Sequence, residues 1–130
     1  MAEMHQYEFH SPLSVAGRKW TLLEPGIFEL VLNYDENTGR RSSLQRWGPG
    51  ARNAMNSLHD YFEEVILLEG DLRVVPGESA GSPSAGEVQE DSGFWGTGAY
   101  AFRKPGMVHG PFESQRGCLM FLSSTRTESG

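Results

Sequence analysis

The chain has 130 residues, enough for one domain with a useful core and too few for two. With 38% apolar and 22% charged residues it reads as a soluble globular protein, and a net charge of −6 excludes a general phosphate-binding surface, so no nucleic-acid partner is expected. A single cysteine, Cys118, excludes an internal disulfide, and no apolar run reaches membrane-spanning length.

The N-terminus has no basic region followed by an apolar stretch, so no signal peptide and a cytoplasmic location are expected. Residues 1–18 are polar, have too little core to fold alone, and are expected to pair with a second subunit in a homodimer. The expected barrel occupies residues 19–124. Within it, Lys19 to Leu23 and Ile27 to Asn33 read as strands separated by the Pro25-Gly26 turn. Asp35 to Gly39 supplies Asn and Gly for a hairpin turn, and Ser42 to Trp47 returns as the partner strand. Ala51 to Tyr61 fits either a turn of helix or an irregular approach to the next strand; the second is preferred.

Glu64 to Val75 is the clearest strand, with Gly70 marking a bend. Pro76 to Gly86 is small, polar and rich in breakers, so residues 76–92 are expected to form an exposed loop insertion. Gly98 to Phe102 and Gly117 to Ser123 read as two further strands. Ser124 to Gly130 reads as a polar tail, with the barrel ending near residue 124. Gly117 to Leu122 is apolar, which makes Cys118 a buried core thiol rather than a nucleophile. Sixteen glycines and seven prolines spread between short strands point to an all-β, single-domain barrel or sandwich.

Four histidines are the first candidates for chemistry: His5, His10, His59 and His109. His5 and His10 lie in the polar N-terminal segment, where a solvated or interface role is expected. His59 precedes Glu63 by four residues, an even offset that keeps both on one face of an extended strand. An imidazole and a carboxylate facing a barrel interior must bond to each other or share a cation. Tyr61 lies between them at the same parity, and Glu64 should face the other way. His109 follows the Pro105-Gly106 turn, placed to aim back into a pocket.

Residues 57–72, SLHDYFEEVILLEGDL, resemble the first motif of the cupins: histidine, three residues, glutamate, six residues, glycine, here His59, Glu63 and Gly70. Residues 98–109, GAYAFRKPGMVH, resemble the second motif at Gly98, Pro105, Gly106 and His109. The likeness covers most of residues 25–122 and is closest to small single-domain cupins and the C-terminal domains of anti-sigma factors. It implies a single-domain cupin β-barrel, a double-stranded β-helix or jelly roll. The sequence departs from the motifs at two places. Ser57, beside Asn56, stands where the family's first histidine falls, and Lys104 precedes the motif proline.

The ligands carried over by the resemblance are His59, Glu63 and His109, holding one divalent ion: iron, zinc, manganese or nickel. Two imidazoles and a carboxylate serve non-haem iron oxygenases and some catalytic zinc sites. The expected function is a metal-dependent enzyme acting on a small oxygenated organic molecule, with oxygenase chemistry favoured over decarboxylase, lyase or isomerase chemistry. The alternatives are a non-catalytic ligand- or metal-sensing module, and a metal-free epimerase or isomerase using His59 or His109 as base and Tyr61 as acid. Phe62, Trp95, Tyr100, Phe102, Phe112 and Phe121 read as core or pocket lining. Arg46, Arg52 and Arg103 are each expected at the solvated surface, with anchoring of a substrate carboxylate as the alternative.

Overall fold

A computed structural model of the chain describes residues 5–14, 18–53, 61–75, 93–106 and 111–126, and these contain eight strands and no helix. In chain order they are β1 Thr21–Glu24, β2 Ile27–Tyr34, β3 Arg41–Trp47, β4 Tyr61–Val74, β5 Phe94–Gly96, β6 Tyr100–Arg103, β7 Phe112–Glu113 and β8 Cys118–Arg126. Every pairing is antiparallel, and the sheet runs β1-β2-β3-β8-β4. Beyond β4 lie β6 along its first half and β5 along its second, while β7 pairs with its last residues. The all-β expectation holds. No helix among the described residues is long and apolar enough to cross a membrane.

Period-two burial shows which face of each strand looks inward. On β4, Glu63, Val65 and Leu67 are buried while Phe62, Glu64, Ile66 and Leu68 are exposed. Val65 and Leu67 meet Ile27, Trp47, Cys118 and Met120 in one core, closed at its far end by Ala51 and Phe112. Burial pushes the Cys118 thiol up to about 11, as fits a core residue. Phe112 belongs to this core, and Trp95 packs against it edge-on. Phe62, Tyr100 and Phe102 do not line it. They stand on the outer face, 37%, 58% and 45% exposed, because the parity that turns Glu63 inward turns them outward.

Gly70 is the corner of the fold. Up to it, β4 pairs with β8 and β6; beyond it, Asp71, Leu72, Arg73 and Val74 pair with β5 and β7. Its φ is +86°, and the Gly117 carbonyl approaches so closely that a Cβ would sit 2.0 Å from that oxygen. No L side chain fits there. Next to it, Asp71 is 1% exposed and accepts hydrogen bonds from the Ser114 hydroxyl at 3.1 Å and from the N–H groups of Gln115 and Arg116 at 3.2 and 2.9 Å. Burial opposes ionisation of this carboxyl, but the three donors hold it below its ordinary range. The turn before β8 is thereby fastened to the corner.

The hairpin expected at Asp35 to Gly39 is present. Asp35 Oδ1 accepts from the N–H groups of Asn37 and Thr38, and its carbonyl from that of Gly39. Residues before β1 dress the edge of β2 beyond the end of β1: Arg18 donates to the carbonyls of Val31 and Leu32, and Asn33 exchanges hydrogen bonds with the His5 backbone. The last strand is longer than expected, since Ser124, Thr125 and Arg126 pair with β4 instead of beginning a tail. Most of the expected loop at 76–92, and residues 54–60 of the approach to β4, lie outside the described residues.

Candidate functional site: the polar end of the barrel

The inner face changes character along the strands. The apolar core fills one end, and at the other the same parity continues into charged and polar residues. A single row of cross-strand partners runs through this end: Arg41 of β3 opposite Ser124 of β8, Ser124 opposite Glu63 of β4, and Glu63 opposite Arg103 of β6. At about 4.8 Å between strands, Arg41 and Glu63 lie roughly 10 Å apart along the wall.

Glu63 is held in this row by Arg103, whose Nη1 donates to Oε1 at 2.9 Å. The two side chains are 10% and 12% exposed, so the pair sits largely out of water. The Arg103 guanidinium also lies 5.7 Å from the Phe112 ring centroid. Arg103 is therefore not the solvated arginine the sequence implied. Its partner is on a strand forty residues away.

A second pair stands beside the first. Glu29, 8% exposed and level with Gln45, receives both terminal nitrogens of Arg41, one at 2.9 Å. The Glu29 hydrogen bond raises the affinity of the Arg41 guanidinium for its proton; burial works against this, and the Glu29 charge, Tyr61 and Tyr34 add to it. Gln45 accepts from the Trp47 indole N–H at 3.1 Å, which ties the polar end to the core below. Sequence reading missed Glu29, Arg41 and Ser124. The signal was present: Glu29 shares the parity of buried Ile27, and Arg41 that of Trp47.

Of the expected site residues, the structure describes Tyr61 and Glu63. Tyr61 opens β4, is half-buried, and shares by parity the inward face of Glu63. His59 and His109 lie outside the described residues, as do Asn56 and Ser57. Among the described residues no group of three or more His, Cys, Asp and Glu side chains is gathered to hold a metal ion. The chemistry of Glu63 nonetheless suits a divalent cation. A carboxylate offers about four lone-pair sites on two oxygens, and Arg103 donates to Oε1. With two imidazoles it makes a donor set of the right types.

The other candidates are elsewhere. Glu64 faces out, as expected, and accepts a 2.6 Å hydrogen bond from the Tyr100 hydroxyl. Arg46 is exposed and lies 4.6 Å from the Trp20 ring, and exposed Arg52 forms a backbone bridge with Glu113. Neither reaches the polar end. His5 and His10 are exposed, and His10 Nδ1 lies 2.9 Å from the Glu8 carbonyl.

No protein-family model and no curated protein matches the chain. Solved structures do. An RmlC-like cupin from Shewanella frigidimarina is similar at a TM-score of 0.67 and 12% identity, covering 98% of this chain and 96% of that one. An acetylacetone dioxygenase from Acinetobacter johnsonii is similar at 0.63 and 17% identity, covering 93% and 76%. The anti-sigma ChrR of Rhodobacter sphaeroides, solved in complex with SigE, is similar at 0.56 and 14% identity; the likeness covers 85% of this chain and 51% of that one.

Proposed function

For a chain with the cupin fold, we propose a metal-dependent enzyme acting on a small oxygenated organic molecule, with His59, Glu63 and His109 holding one divalent ion. The observation that carries this reading is Glu63 itself. A carboxylate 8% exposed is turned into the barrel at its polar end, held there by Arg103 and four residues after one candidate imidazole. A bound divalent ion supplies Lewis-acid polarisation of a carbonyl, a lowered water pKa or, as iron, access to dioxygen.

The chain's own residues do the rest. Arg103 fixes the carboxylate of Glu63 and sets which oxygen is turned away from it. Tyr61, at the same parity, would give a proton to an oxyanion forming on the substrate. The apolar floor of Val65, Leu67 and Met120 holds the hydrocarbon part of the molecule and keeps water out.

Oxygenase chemistry is favoured over decarboxylase, lyase or isomerase chemistry by the two-histidine, one-carboxylate set, and the likeness to an acetylacetone dioxygenase points the same way. A second reading, a module that senses a ligand or metal without turnover, is favoured by the likeness to an anti-sigma factor. An oxygen electrode separates them. Iron(II)-loaded protein is offered a panel of β-diketones, catechols and 2-oxo acids. Uptake of oxygen that stops on chelation is the expected result. Bound metal with no turnover on any substrate moves the assignment to the sensing module, and turnover that survives chelation moves it to acid–base catalysis by His59 or His109 with Tyr61.

A further inference from the structure

The two arginines of the polar row are used differently. Arg41 closes its fork on Glu29, one nitrogen to each carboxylate oxygen. Arg103 spends one nitrogen on Glu63; its Nε and Nη2 donate to nothing among the described residues. A guanidinium carries five N–H donors in a planar fork, so among the described residues most of the donor capacity of Arg103 is unspent. The side chain is only 12% exposed, and no sealed side-chain nitrogen or oxygen among the described residues lacks a partner. The unspent donors therefore keep contact with solvent while their surroundings exclude most of it. A planar, weakly screened fork of this kind selects planar oxyanions.

We propose that Arg103 is an anion anchor: it receives the carboxylate, or the enolate oxygen, of an acidic substrate beside Glu63. The substrate class is a small 2-oxo or hydroxy acid rather than a neutral ketone. Glu63 holds Nη1 and so aims Nε and Nη2, while the apolar floor at Val65 and Leu67 takes the carbon chain. The inference rests on the reading of this barrel end as the substrate site and adds to it the charge of the substrate.

Calorimetry with 2-oxobutyrate and its neutral methyl ester tests it, on protein as purified and after chelation. The acid is expected to bind about tenfold or more tighter than the ester in both states. Arg103→Met is expected to abolish that preference. Arg103→Lys, which keeps the charge without the planar fork, should keep a reduced preference, and it decides the matter if the methionine variant does not fold. Equal affinity for acid and ester, no binding of either, or an undiminished preference in either folded variant overturns the anchor. A preference for the acid in protein that takes up no metal leaves the anchor standing and removes the metal-dependent reading. Bound metal with no preference for the acid does the reverse.

Discussion

Glu63 and Arg103 face each other across neighbouring strands, joined at 2.9 Å on the inner wall of the barrel with each side chain about one-tenth exposed. A pair this far out of water is worth little against a well-packed apolar pair, yet breaking it strands a charge. Glu63→Gln is expected to cost on the order of 3 kcal/mol in chemical unfolding. The double change Glu63→Leu, Arg103→Met should recover most of that loss. A double-mutant cycle built from Glu63→Leu and Arg103→Met measures the coupling, and additive single effects would contradict the pairing.

Gly70 fixes the corner between the two halves of β4. Gly70→Ala meets backbone strain of about 1–3 kcal/mol, and in addition a Cβ driven to 2.0 Å from the Gly117 carbonyl oxygen. Gly98→Ala is the control, since Gly98 has a φ of +91° with nothing within 4 Å of an added Cβ. Thermal unfolding should show a much larger loss at Gly70 than at Gly98. Equal losses would mean that strain alone matters and the close approach does not.

Asp71 links stability to pH. Its carboxyl is held below the ordinary range when folded, so its contribution is complete above the unfolded value near 3.9 and is lost as pH falls through the lower folded value. Asp71→Asn leaves N–H groups of the turn facing an amide, at a cost of roughly 1–3 kcal/mol at pH 7. Urea unfolding of both proteins from pH 7 to pH 3 should give a constant gap that narrows only at the acid end. A gap that widens on acidification would contradict the assignment.

The outer face of the sheet around β4 and β6 carries an unexpected amount of apolar surface. Phe62 and Phe102 stack at 6.1 Å, Ile66, Leu68 and Tyr100 are 40% exposed or more, and Phe9 of the N-terminal segment is wholly exposed. We propose that a second copy packs here, with the N-terminal segments contributing; an ordinary stable interface buries roughly 1,600 Å² in total. Light scattering is expected to give a dimer at micromolar concentration and a monomer for Ile66→Asp. A wild-type monomer would remove the homodimer from the account.

Much of the fold was legible because a few residues act locally. Asp35 makes its own turn, Gly70 marks a bend that only glycine tolerates, and the alternation from Glu63 to Leu67 sets the inward face of β4. What escaped depends on partners far along the chain. Phe94–Gly96 and Phe112–Glu113 are strands of three and two residues that exist because the end of β4 pairs with them. Ser124 to Arg126 look like a tail by composition, yet β4 pairs with all three. The same holds for the site. Glu63 stands out by its spacing to His59 and Gly70, whereas Arg103 looks like any surface arginine until β6 is laid against β4. Aromatic character misled in the opposite direction: Phe62, Tyr100 and Phe102 looked like lining, and strand parity turns them outward.

The claim at the centre is that His59, Glu63 and His109 together hold one divalent ion. Elemental analysis of purified protein, beside His59→Ala, Glu63→Ala and His109→Ala, tests it most directly. Near-stoichiometric iron, zinc, manganese or nickel in the wild type, lost in all three folded variants, is the predicted result. Wild-type protein that carries no metal and takes up none on reconstitution would contradict it, and would identify Ser57 as the mark of a barrel that binds its ligand without a metal.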